Sequence, residues 1–292
     1  MPRRDNHQRF ETEPLFELSG IYQQPVPKPF KPPGLPVWTD SKARLIERYL
    51  HYFVLVTRHG IYIDGFAGPQ YRGVDEYAAK LVVERELERR PPRLRHFHLV
   101  DLGATQIRAL RELQERSSAR DIRVYQGDFN KVVDEILQPG VLRPKEATFC
   151  LLDQRTFECH WETVRKLAGS RAAGYKIELF YFLANAWLER AFAGLQDYEK
   201  WQDWWGRDDW RKVADMKRVQ RVDEMRRRFQ TELGYHFVMP WAIYSKEPYR
   251  VMYYMIHASD HPEAPKLMER AYTDIVRGQA GKQLNIALPE AP

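Results

Sequence analysis

Cysteine is scarce in this sequence, with two in 292 residues, Cys150 and Cys159. That number fits reduced thiols better than a disulfide framework or a metal cluster, so no metal site is expected and any iron–sulfur chemistry would come from a partner. Long apolar runs are missing too. Stretches such as FYFLANAW at residues 180–187 fall short of the roughly 18 residues that a membrane span requires. The leading MPRRDNHQRFETEP carries arginines with no apolar stretch behind them, so it does not read as a signal peptide, and a cytoplasmic protein away from membranes is expected. Charge of one sign is modest, since 46 basic residues stand against 40 acidic ones for a net +6. An anionic partner is therefore suggested by where the charge lies more than by its total.

What is present is a globular composition, 43% hydrophobic with eight tryptophans, ample for a sizeable core. Six prolines in PVPKPFKPPGLP (25–36) preclude a helix and favour extended geometry, which makes residues 1–37 an arm. From Trp38 the character changes. Thr39, Asp40 or Ser41 can cap a helix whose apolar residues recur at Leu45, Ile46, Tyr49, Leu50 and Phe53. Strand-like and helical segments then alternate: GIYID, EYAAKLVVERELERR, RLRHFHLVD, ATQIRALRELQERSS, DIRVYQGDF, NKVVDEILQPG, ATFCLLDQ, WETVRKLAGS and YKIELFYFLA. This alternation predicts right-handed βαβ units and a mostly parallel sheet, a Rossmann-like α/β core over 38–184. Residues 185–234 read as a helical insertion, basic and aromatic. Residues 235–292 read as a hairpin, HFVMPWAIYS and RVMYYMIHAS joined by KEPY, that closes the sheet antiparallel before a final helix and tail.

In an open α/β sheet, ligands bind beyond the carboxyl ends of the strands. Here four successive strand ends carry an acid: Asp64, Asp101, Asp128 and Asp153. Each alone serves equally well as a helix cap or turn former. Together they suit an adenosine ligand. In IYIDGFAGPQ (61–70), Gly65 and Gly68 leave room for a polar chain against the turn that also holds Phe66. Asp101, with Leu102 beside it, can accept both hydrogen bonds of a ribose diol. Asp128 can accept from an adenine amine, and Phe129 can cover the ring. A dinucleotide fingerprint would be G-x-G-x-x-G with an acid about 20 residues on; D-G-F-A-G with Asp101 much farther away favours a cofactor without pyrophosphate, S-adenosylmethionine.

Beyond these acids the chain resembles the three-Cys-motif partner protein (TcmP) family. The resemblance rests on the Trp and Lys of WTDSK, on YIDGFAG, on the strand ends at Asp101 and at Asp153 with Trp161 following, and on YYMIHASDHPEAPKLMERAY. It covers most of residues 38–272. It implies a class I methyltransferase-like fold and an S-adenosylmethionine site at Asp64, Gly65, Gly68, Asp101 and Asp128. It also implies a three-cysteine-motif iron–sulfur partner of the radical type.

Methyltransferases acting on adenine amines commonly carry an Asp/Asn-Pro-Pro-aromatic tetrad at the fourth strand. Here LLDQRTFECHW keeps Asp153 and lacks both prolines. Asp153 and Gln154 are the candidate catalytic pair, with Gln154 equally well a solvated turn residue; Phe157 or Trp161 can stack on a base. Lys42 is an anion contact or a first-turn residue. His160, His257 and His261 are bases, phosphate contacts or structural histidines. In the insertion, arginines at 207–228 lie among four tryptophans at 201–210, so Arg226 and Arg227 are candidates for phosphate contact, or members of an exposed helix laced with ion pairs. The leading expectation is an S-adenosylmethionine-dependent methyltransferase acting on RNA or DNA. The alternatives are a nucleic-acid-binding partner subunit that has lost transfer activity, and a small-molecule methyltransferase whose insertion is a lid.

Overall fold

A computed structural model describes residues 37–38, 41–70, 76–88, 92–143, 145–185, 188, 198–245 and 250–286. All of them belong to the compact unit that the chain forms from Pro32 onward. It opens with a two-residue strand β1 (Val37–Trp38) and helix α1 (Lys42–Thr57). Leu45, Ile46, Tyr49, Leu50 and Phe53 are buried along one stripe of α1, as their spacing predicts. Ser41 occupies the N-cap position without a side-chain cap bond, while Thr39 and Asp40 lie outside the described residues. Arg58 ends α1 with φ at 68°, its N–H returning to Val54 O at 2.9 Å. Two residues on is Gly60, where a Cβ would stand 2.7 Å from a ring carbon of Phe53. A side chain there would press on Phe53 and on the Ala147 carbonyl, so glycine lets β2 (His59–Asp64) pack closely under α1.

The expected alternation follows. In order come α2 (Ala78–Glu88), β3 (Arg93–Asp101), α3 (Ala104–Arg116), β4 (Asp121–Gln126), α4 (Phe129–Ile136), β5 (Thr148–Leu152), α5 (Trp161–Gly169) and β6 (Glu178–Leu183). After β6 the chain forms α6 (Tyr198–Trp205), a 3-10 turn (Asp208–Trp210), α7 (Arg211–Asp215) and α8 (Arg218–Thr231). It then closes with β7 (Phe237–Ser245), β8 (Arg250–Ser259) and α9 (Ala264–Ile286).

These strands make one eight-stranded sheet of order β1-β7-β8-β6-β5-β2-β3-β4. Strands β2 to β6 run parallel, and β8 pairs antiparallel with both β6 and β7. The hairpin thus does close the sheet, but its second strand lies inside its first. The linking KEPY lies outside the described residues. β1 was not anticipated: Val37, read as the last residue of an arm, pairs in parallel with Ile243 and extends the sheet beyond β7. β5 and β6 are buried along their whole length, as strands covered on both faces must be. α1 packs against α2 and α9, whereas α4 packs against α5 and α5 against α6.

The direction of strand addition reverses between β2 and β5. From β2 the chain moves outward through β3 and β4, then returns to β5 and moves outward the other way. A crevice opens at the carboxyl ends where such a reversal occurs, and Asp64 and Asp153 stand at those two ends.

Candidate functional site

Asp64, the last residue of β2, is 1% exposed. Its Oδ2 accepts from Tyr62 Oη–H at 2.8 Å and its Oδ1 from Phe66 N–H at 3.1 Å. Burial pushes its carboxyl up to about 7 in spite of both bonds, and the charges of Asp153 and Asp101 add to the rise. The following turn is fastened to both neighbouring strands. Gly65 N–H reaches Leu151 O of β5 at 3.0 Å, and Ala67 N–H reaches Val100 O of β3 at 2.8 Å. At Gly65 a Cβ would come within 2.8 to 3.0 Å of the Phe129 ring. The glycine is therefore required by close approach.

Asp101 ends β3 and collects the adjacent backbone. Oδ2 takes Gly68 N–H at 2.9 Å and Oδ1 takes Gly103 N–H at 3.0 Å. Each oxygen has a second lone pair that these two bonds do not use. Leu102 beside it is 71% exposed, an apolar surface at the sheet's carboxyl edge. Asp128 is the N-cap of α4, its Oδ1 accepting from Asn130 N–H at 3.0 Å and from the Asn130 amide at 2.9 Å. Phe129 is 2% exposed and packs beneath Gly65 and against Phe66, 6.0 Å between ring centres, so its face supports the turn. Gln106 was missed by the sequence reading. Its amide donates to Pro69 O at 3.3 Å, and its side chain lies directly over Gly68, where a Cβ would meet it at 2.3 Å. The signal was its place in the first turn of α3, facing the end of β3.

Asp153 follows β5 and is 7% exposed. Lys42, from the first turn of α1, donates to it at 2.7 and 2.6 Å, one contact to each oxygen. The Lys42 ammonium also lies over the rings of Phe182 and Tyr253, at 5.8 and 5.4 Å. Burial acts to lower Lys42, but Asp153, Tyr253 and Asp64 outweigh it and hold the ammonium above its ordinary range. Lys42 is thus a fixed cation. Asp64, Asp153 and Lys42 form one electrostatic cluster at the reversal point.

Gln154, expected as a partner of Asp153 in catalysis or as a solvated turn residue, is instead buried with both ends of its amide engaged by the scaffold. It is 1% exposed, donates to Phe182 O at 3.1 Å and accepts from Cys159 N–H at 2.8 Å, joining β6 to the loop after β5. Phe157 is buried against Trp201 and Trp204, at 4.4 and 5.0 Å between ring centres, and offers no open face. Trp161 is buried as well. Its indole N–H reaches Glu232 at 3.0 Å and its ring carries the Arg228 guanidinium at 3.9 Å. Arg226 pairs with Asp223 at 2.6 Å and Arg227 with Glu224 at 2.5 Å, so these arginines take the ion-paired alternative. Trp201, Trp204, Trp205 and Trp210 are all buried and provide no stacking platform. His257 binds the buried Glu178 at 2.9 Å, at the other end of the sheet. His160 is the N-cap residue of α5.

No protein-family model and no curated protein matches the chain. Among solved structures it is similar to M. jannaschii TYW2 in complex with AdoMet, with TM-score 0.40 and 11% identity over 75% of this chain and 76% of that one. It is also similar to human methyltransferase-like protein 13 in complex with SAH, with TM-score 0.41 and 10% identity over 80% of this chain and 89% of that one. Trm5b from Pyrococcus abyssi is a third, with TM-score 0.35 and 13% identity over 72% of this chain and 46% of that one. Likenesses of this size carry no weight on their own. The sheet decides the fold: counted from β2, its order is third, second, first, fourth, fifth, seventh, sixth, with the seventh strand antiparallel. This is the class I methyltransferase fold.

Proposed function

We propose that the chain is an S-adenosylmethionine-dependent methyltransferase. The observation that carries this reading is the arrangement of Asp101: two backbone N–H groups fix its carboxylate at a strand end, each oxygen keeps a second lone pair beyond those bonds, and the exposed Leu102 lies alongside. A ribose diol fits those lone pairs and an adenine ring fits the apolar surface. Asp101, Leu102 and the turn of Asp64, Gly65, Phe66 and Gly68 would hold the cofactor, which supplies an electrophilic methyl group when bound. Transfer then needs an acceptor held in line, and positioning supplies most of the rate. Asp153 does that positioning in this reading. Lys42 clamps both of its oxygens, so the carboxylate presents a hydrogen-bond acceptor in a set direction.

For the acceptor we favour nucleic acid. The pair offers a donor and an acceptor side by side, with two aromatic rings about the donor, which suits the polar edge of a base, and the net charge of +6 suits a polyanion. The burial of all four tryptophans at 201–210 favours a second reading, a small-molecule acceptor beneath a packed helical cover. Membership in the three-Cys-motif partner family, and with it an iron–sulfur partner, rests on the sequence resemblance.

Incubation with methyl-labelled S-adenosylmethionine and bulk RNA or DNA tests the proposal. Label should enter the polymer with the wild type and fall at least about 100-fold with Asp153→Asn, the scale of a lost positioning group. Label confined to small metabolites would move the assignment to the second reading. Equal incorporation by Asp153→Asn would remove Asp153 from the acceptor site.

A further inference from the structure

The strand-end acids occupy one end of the sheet. The other end holds a cavity of about 540 Å³, within the size range of small-molecule sites. Its floor is the start of β5 and β6 and the end of β8, at Thr148, Glu178 and Ser259. Thr148 and Asp153 are separated by the whole of β5, roughly 16 Å at the rise of an extended strand. The two sites are thus distinct.

The floor is polar and internally satisfied. Glu178, 5% exposed, accepts from Tyr49 Oη–H, from His257 Nε2–H at 2.9 Å and from Ser259 Oγ–H at 2.8 Å. Burial together with the Glu178 charge raises the Tyr49 phenol well above its ordinary value, so it stays a donor. Three donors satisfy the hydrogen bonding of this carboxylate within the protein.

The walls are apolar and the rim is basic. Phe53 and Val56 of α1 face Ala264 and Leu267 of α9 across the cavity. Val56 and Tyr175, which line the same cavity, are large apolar groups left 41% and 55% exposed. Lys145, Arg171 and Lys176 are the charged groups around the opening, against the one acid on the floor. Lys176 is paired with Asp260 at 3.0 Å, and Arg171 is fixed by Thr148 at 2.6 Å. Arg171 also donates to the carbonyls of Glu146 and Tyr175, so it is rigidly held with its Nε–H and one Nη1–H unused by these bonds, and the exposed Lys145 lines the same cavity.

We infer that this cavity is a second ligand site, which takes a small amphipathic anion: an apolar body against Phe53, Val56 and Leu267, and a carboxylate or comparable group toward Arg171 and Lys145. The site is independent of the methyl-donor reading, because it shares no residue with the strand-end acids.

The test uses the full chain and two fluorescent probes with the same kind of apolar body, anilinonaphthalene sulfonate, which is anionic, and N-phenylnaphthylamine, which is neutral. The sulfonate should bind saturably at one site per chain. Val56→Glu and Lys145→Glu, both surface changes, should weaken it at least tenfold, and Leu102→Glu at the opposite end should leave it unchanged. The neutral probe should bind at least fivefold more weakly than the anion. Absence of saturable binding, equal binding by both rim variants and the wild type, or equal affinity for the two probes would each overturn the proposal.

Discussion

Asp64 is a carboxylate placed where water hardly reaches, and its raised value has a direct thermodynamic consequence. The native state keeps the proton up to about pH 7, whereas the unfolded chain releases it near pH 3.8. The stabilisation from that proton is complete below about pH 4 and is lost as pH rises toward 7, then levels off. Asp64→Asn removes the titration. The stability of the variant relative to wild type should therefore climb between pH 4 and pH 8, by up to roughly 4 kcal/mol. Urea denaturation of both proteins across that range checks this, and a constant difference would contradict it. The Lys42–Asp153 pair invites a second test at this scale. Lys42→Met leaves Asp153 uncompensated and should cost about 3 kcal/mol, as should Asp153→Asn, while the double variant should lose clearly less than the sum. Additive losses would mean that the pair is not coupled. Asp64, Asp101 and Asp153 could be read directly from the sequence because each follows an apolar run, whereas Asp128 follows Gln126 and Gly127. The partner of Lys42 could not, since 111 residues separate it from Asp153 and only the fold brings α1 over the end of β5.

At the scale of elements, α8 shows how helix phase sorts residues of one type. Arg226, Arg227 and Arg228 are consecutive, yet Arg228 alone joins the stripe of Arg221, Val222, Met225 and Phe229 that faces inward. There it lies between Trp161 and Trp205, at 3.9 and 4.1 Å, and donates to Glu232 at 2.7 and 2.9 Å. Arg228→Ala should cost about 3 to 5 kcal/mol, the scale of breaking a buried, hydrogen-bonded charge. Arg227→Ala, removing an exposed pair, should cost less than about 1 kcal/mol. Thermal denaturation of the two variants separates these values, and similar losses would contradict the account. The spacing of 221, 222, 225, 228 and 229 was visible in the sequence, but an arginine inside an apolar stripe is easily counted with its exposed neighbours. Strand β1 was invisible for another reason: two residues at the end of a proline-rich stretch carry no period.

For the whole molecule, the alternation of strands and helices made the parallel sheet legible, and the final two strands were legible as a hairpin. Their order was not. Placing β8 between β6 and β7 depends on which strand edge the chain meets on its return, and pattern does not encode that. The same topology gathers Asp64, Asp101 and Asp153 around one crevice and leaves a separate cavity at the opposite end of the sheet. The central claim, that this crevice holds a methyl donor, is tested most directly by calorimetric titration of the purified chain with S-adenosylhomocysteine, alongside Asp101→Ala. One-site binding is expected of the wild type, with a loss of at least about 100-fold in the variant, the scale of two hydrogen bonds to a charged group. A well-folded wild type that does not bind, or a variant that binds equally well, would contradict it.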